Sequence, residues 1–222
     1  MARFQKLTAL ICTSLLVSGC AVRFTDDFDA DTIGQPPNQS PPGPPAGDFV
    51  TQLSGDGSVL VSSGIFGLNG NALRLEGPVG NNGPAVFFGT EPVNNQSQPI
   101  YASWRGRTNG FTTVYAHFQA GEDSLVRVDF NQSGNVAINS VTVGTFTPGG
   151  EHQVIMALFP DSDTYRVTIS GQVDVEGTQT GSLENAGEFP AVHLGLAVSI
   201  VDGSNLSAYQ MDDVLISQRN PG

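Results

Sequence analysis

Lysine is all but missing from this chain: Lys6 is the only one, and with eight arginines it faces 21 acidic residues. The formal charge of −12 excludes an ordinary nucleic-acid binder, which carries a basic face. Cysteine is nearly as scarce. Cys12 and Cys20 alone cannot build a disulfide framework or a cysteine-rich zinc site. No apolar run reaches the roughly 18 residues of a transmembrane helix. Amphipathic helical periodicity is absent beyond the N-terminal segment. Tryptophan occurs once, as Trp104 on an apolar strand phase, which reads as core. His117, His152 and His193 stand apart, without the spacing of a zinc site or a Ser-His-Asp constellation.

What is present begins with an address. Arg3 and Lys6 precede the apolar stretch 7–17, and Ser18-Gly19 supply small residues before Cys20, as in a secretory signal. Val17-Ser18-Gly19-Cys20 resembles a bacterial lipobox, which implies loss of residues 1–19 and lipidation of Cys20. Ala21 resembles the sorting pattern for the outer membrane, so the expected place is the bacterial cell envelope. The processed chain would keep seven arginines against 21 acids and no free thiol. Anionic headgroups repel such a surface, so the lipid on Cys20 is the expected membrane contact. Residues 20–24 read as a tether and 25–218 as one domain.

Within that domain, residues 34–47 hold six of the fourteen prolines and read as an extended loop. Elsewhere, period-two runs rich in Val, Ile, Phe, Tyr and Thr recur between Gly, Asn and Asp clusters. They occupy 58–62, 72–76, 85–88, 100–108, 112–120, 125–130, 135–139, 141–146, 152–159, 164–170, 191–200 and 209–217. No repeat of solenoid or propeller period is visible. This spacing predicts an all-β, antiparallel β-sandwich of roughly 11–14 strands.

Three segments carry a resemblance. They are Thr25-Asp26-Asp27-Phe28-Asp29 with Gly34 to Pro37, the stretch Gly144 to Gly171, and Met211-Asp212-Asp213-Val214-Leu215-Ile216. Together they resemble concanavalin A-like (LamG-like) lectin and glucanase jelly rolls. That resemblance implies a jelly roll whose first and last strands are neighbours, on a fold that hosts lectins, glucanases, adhesins and spacers. The leading expectation is a non-catalytic, lipid-anchored envelope protein with a glycan partner. A structural surface-assembly lipoprotein without a small ligand is the alternative. A divergent glycoside hydrolase is least favoured: the nearest match to the family 16 motif, Gln172-Val173-Asp174-Val175-Glu176, has an amide where the nucleophile belongs.

Two clusters are candidate sites. Asp26, Asp27, Asp29 and Asp31 crowd the first strand, and Asp212 and Asp213 open the last. If those strands adjoin, Asp26, Asp27, Asp212 and Asp213 could hold a structural calcium ion; the other reading is turn carboxylates. Strand phase supplies the second cluster. Tyr101, Arg105 and Arg107 share one phase, Tyr115 and His117 another, and Arg127 a third. A meander of these consecutive strands would set all six on one face, to stack and clamp a glycan. The other reading is a solvated face with cross-strand Arg–Asp pairs.

Overall fold

The computed structural model describes residues 22–37, 49–53, 57–63, 70–77, 83–90, 98–108, 112–120, 123–184, 194–202, 207–218 and 220–221. The expected signal segment 1–19, the lipidation site Cys20, residues 38–47 of the proline-rich stretch, and His193 lie outside them.

Two antiparallel sheets of eight strands form a sandwich. The first holds β1 (Val22–Asp26), β3 (Ser58–Ser63), β4 (Asn71–Gly77), β6 (Ile100–Thr108), β11 (Glu151–Phe159), β12 (Thr164–Gly171), β14 (Thr178–Ser182) and β16 (Ser207–Ser217). Its order is β14-β12-β11-β6-β16-β4-β3, with β1 also on β16. The second is β13-β10-β9-β8-β7-β15-β5-β2: β2 (Phe49–Leu53), β5 (Ala85–Gly89), β7 (Thr113–Ala120), β8 (Asp123–Phe130), β9 (Asn135–Ile138), β10 (Val141–Phe146), β13 (Val173–Val175) and β15 (Leu194–Asp202). The described residues form sixteen strands, two above the expected range. Those the periodicity missed include β14, Thr-Gln-Thr-Gly-Ser, an edge strand with no apolar phase to see.

Alternation dictates the core. In β6, Ile100, Ala102 and Trp104 are buried while Tyr101, Arg105 and Arg107 stay half-buried on the outer face. Phe88, Phe118 and Phe130 from the second sheet meet Leu73, Leu75 and Trp104 from the first in one cluster. Each large apolar side chain buried this way contributes about 1.5–3 kcal/mol.

The core also contains a polar chain. Trp104 Nε1 donates to Tyr209 Oη (2.7 Å), and Tyr209 Oη lies 3.0 Å from His152 Nε2. The His152 ring also bonds the Gly150 backbone and stacks on Phe130, with centroids 4.2 Å apart. One assignment satisfies every atom: Tyr209 donates its O–H to Nε2, and Nδ1–H faces Gly150. Burial pulls the His152 imidazole down to about 3, so it stays neutral.

The β9–β10 hairpin turns through Asn139 (φ 46°) and Ser140 (φ 67°), positive at both central residues as a type I′ turn requires. A second irregularity sits in β16. Register with β6 shifts between Asp212 and Leu215, and Asp213 takes φ 50°. The paired aspartates therefore mark a bulge in mid-strand, not the strand's start as the sequence suggests.

Candidate functional site

The six residues expected on one face are divided between two. The chain leaves the first sheet after Thr108 and enters the second at Thr113, so β6 and β7 do not pair. Sheets about 10 Å apart are bridged by so short a crossover. Tyr101, Arg105 and Arg107 stand on the outer face of the first sheet; Tyr115, His117 and Arg127 stand on that of the second. The strand phases and the β7–β8 pairing are as read from the sequence; the β6–β7 pairing is not.

On the second sheet the charged groups hold one another. His117 is paired across from Arg127, and Tyr115 from Asp129. The Arg127 guanidinium lies 4.7 Å over the Tyr115 ring. Its Nη2 donates to Asp129 Oδ2 (2.9 Å) and Ser140 Oγ (2.8 Å). Nε sits 2.7 Å from Asp129 Oδ1, as an ion pair bent too far for a hydrogen bond. Because Asn139 also bonds the Arg127 backbone, this arginine braces the β9–β10 turn. One contact escaped the sequence: His117 Nδ1 lies 3.1 Å from Ser124 Oγ. Burial, then Arg127 beside it, lowers the His117 imidazole to about 4, which makes a weak base at neutral pH. Asp129, committed to Arg127, supplies no third member.

On the first sheet, Arg105 pairs with Glu151 (3.4 Å) and Asp213 (3.6 Å), and Arg107 Nε donates to the Gly149 carbonyl (2.8 Å). Further along the same face the surface dips. Register places Ser217, Tyr101, Ala157, Arg166 and Thr180 in one row across five strands. Tyr101 and Arg166 stand two strands apart, roughly 10 Å, with a methyl group between them. Phe159 rises at the end of β11, and the Arg166 guanidinium carbon lies 5.0 Å from its ring centroid. The result is an open groove of about 610 Å³ floored by Ala157 and Ile155 and rimmed by Tyr101, Phe159, Arg166 and Thr180. Sequence reasoning placed only Tyr101 there. Ala157, Phe159 and Arg166 come together through β11–β12 pairing, which no local pattern encodes.

No protein-family model and no curated protein sequence matches the chain. Solved structures do. Lectin I-B4 of Griffonia simplicifolia, in its metal-free form, superposes with a TM-score of 0.52 at 12% identity, over 77% of this chain and 92% of the lectin. A carbohydrate esterase of the Shiga toxin-encoding bacteriophage phi24B gives 0.55 at 13% identity, over 77% of this chain and 89% of its own. A sialidase gives 0.57 at 12% identity over 88% of this chain, which spans 18% of the sialidase. The fold is a concanavalin A-like jelly roll.

First and last strands of this jelly roll do adjoin, with Asp26 opposite Val214. The aspartates are nevertheless turned to backbone duty. Asp26 Oδ1 accepts from Phe28 N–H (2.8 Å), Asp27 Oδ1 from Asp29 N–H (3.1 Å), and Asp212 Oδ1 from Asp213 N–H (2.8 Å). Asn71 ties the turn down, donating its N–H to Asp29 Oδ1 (2.7 Å) and Nδ2 to the Asp31 carbonyl (3.2 Å). Asp213 points outward to Arg105. Among the described residues, no three His, Cys, Asp or Glu side chains are grouped as metal ligands, while Asp26 Oδ2 is buried without a hydrogen-bond partner. Burial pushes Asp26 and Asp212 up to about 6; neighbouring carboxylates, Asp31 for Asp26 and Asp213 for Asp212, add to it. Asp174 and Glu176, from the glycosidase-like stretch, are exposed at the β13 edge of the jelly roll.

Proposed function

We propose that this chain is a non-catalytic glycan-binding protein of the bacterial cell envelope, anchored in the outer membrane by lipid on Cys20. The observation that supports saccharide binding is the groove over Ala157. A sugar presents an apolar face and a hydroxyl rim, and the groove offers Tyr101 and Phe159 rings beside Thr168, Thr178 and Thr180 hydroxyls. Lectins of the same fold make the reading a natural one. A non-catalytic role is supported by the amide Gln172 in the glycosidase-like stretch and by the weak basicity of His117.

An open groove leaves part of a saccharide in water, so affinity is expected between about −4 and −6 kcal/mol, high-micromolar to millimolar. Titration against neutral and acidic oligosaccharides should reveal such binding, and Tyr101→Ala should weaken it about tenfold or more. Absence of binding to every saccharide at about 10 mM would favour the structural-assembly role instead. The anchor has its own test. Cys20→Ser should move the protein from the membrane to the soluble fraction, because the acidic surface adds no attraction to anionic lipid. Retention of that variant at wild-type level would contradict lipidation.

A further inference from the structure

We propose that the groove selects saccharides bearing isolated carboxylates, and that Arg166 reads the carboxylate. This rests on the glycan-binding reading and adds the ligand's chemistry. The chain is rich in acids, and four other arginines, Arg74, Arg105, Arg107 and Arg127, are engaged. Arg74 pairs with Glu76, Arg105 with Glu151 and Asp213, Arg127 with Asp129, and Arg107 bonds the Gly149 carbonyl. Arg166 has no carboxylate within ion-pair distance among the described residues, although it is exposed in mid-strand.

Its position is constrained all the same. Backbone pairing sets it across from Ala157 on one side and Thr180 on the other. The guanidinium carbon lies over the Phe159 ring, 5.0 Å from its centroid, a cation–π contact that uses no N–H donor and is compatible with a planar, bidentate acceptor. The neighbouring threonines supply neutral donors and acceptors of the kind that meet sugar hydroxyls, and Tyr101 lies one sugar-width or two away across Ala157. A lone fork aimed at a saccharide groove matches a uronic or other sugar acid.

The surroundings set an upper limit on ligand charge. Asp161 and Asp163 follow Phe159 in the turn leading to β12, and the chain carries −12 overall. That field repels a dense polyanion more than it repels one carboxylate. Sparse acid groups on an otherwise neutral oligosaccharide are therefore favoured over sulfated or polyuronic chains.

The test uses the full chain in a detergent without a sugar headgroup. The probes are a xylo-oligosaccharide carrying one glucuronic acid, its carboxyl-reduced counterpart, sialyllactose, lactose and a heparin hexasaccharide. Each acidic probe with one carboxylate should bind about three- to tenfold tighter than its neutral twin, the range for an exposed charge-assisted pair. That preference should shrink at high salt, where exposed charges are screened. Arg166→Gln should equalise the twins, and Arg166→Lys should restore part of the difference. The heparin hexasaccharide should bind more weakly than the singly charged probes. Equal affinity of the twins in wild type, or a preference that survives Arg166→Gln, overturns the carboxylate assignment and leaves glycan binding standing. Tightest binding to heparin overturns the claim for sparse charge. No binding to any probe removes the glycan reading itself. An unchanged unfolding midpoint in Arg166→Gln, expected for an exposed side chain, shows that affinity rather than folding is being read.

Discussion

Gly106→Ala is expected to lower the unfolding midpoint by roughly 10 °C. Gly106 faces inward on β6, where an added Cβ would overlap Tyr209 Oη and His152 Nε2. The Trp104–Tyr209–His152 chain lies in a close-packed interior, so neither ring has space into which to retreat. Overpacking of this kind costs typically about 1–3 kcal/mol and more when a hydrogen-bonded network is broken as well. For a domain of this size each kcal/mol is worth about 2–4 °C. Tyr209→Phe should also destabilise, by about 2–4 kcal/mol, because it leaves the Trp104 N–H and His152 Nε2 buried without partners. The double variant gives the sharper readout. Removing the hydroxyl relieves part of the clash, so the two losses should sum to more than the double variant shows. Thermal unfolding of all four proteins checks this; strict additivity would mean that Gly106 does not press on the chain.

The second large effect concerns the acid turn. Asp26→Asn and Asp212→Asn should each raise the unfolding midpoint by several degrees at pH 7.5 and give no gain below about pH 4. Both carboxyls have folded values near 6, above the 3.8 expected in the unfolded chain. Their favourable contribution is full below about 4 and is lost as pH rises through 6, because the folded protein must then hold buried charge. A shift of two units corresponds to about 3 kcal/mol at most, and partial solvation brings it nearer about 1–2. Asparagine keeps the oxygen that accepts from Phe28 or Asp213 N–H, so the local turn survives. His117 and His152 act with the opposite sign. Depressed to about 4 and about 3, they withdraw stability as pH falls below 6.5. The wild-type profile therefore blends both, and the variant-minus-wild-type difference isolates the aspartates. Calcium would reverse the sign. A cation held by these carboxylates would make Asp26→Asn destabilising and would raise the wild-type midpoint on titration.

Much of the fold was legible because burial imposes period two on every strand with one face in the core. β6 and β8 show this, their inward Trp104, Val126 and Phe130 alternating with outward Arg105 and Arg127. The neighbourhood of first and last strands came from the resemblance and is seen in β1 against β16. Phase says which side of a strand a residue occupies, but not which sheet the strand joins. Consecutive strands pair only about two-thirds of the time, and β6 to β7 is a crossover. That single unknown separated Tyr101 from Tyr115. Arg127 illustrates a second limit. An arginine two residues from an aspartate on one strand face can clamp a ligand or its own neighbour, and only the turn at Asn139–Ser140 decided for the neighbour. The groove was illegible for the same reason in reverse. Ala157 reads as an ordinary small core residue until register sets it between Tyr101 and Arg166.

Filling that groove tests its role most directly. Ala157→Phe would place a ring on the floor between Tyr101 and Arg166 without removing any side chain proposed to touch the ligand. Affinity should be measured for the tightest-binding saccharide with wild type, Ala157→Phe and, on the opposite face, Tyr115→Ala. The groove account predicts at least a tenfold loss for Ala157→Phe and wild-type affinity for Tyr115→Ala. Wild-type affinity in Ala157→Phe, with loss in Tyr115→Ala, would place the ligand on the second sheet and contradict it.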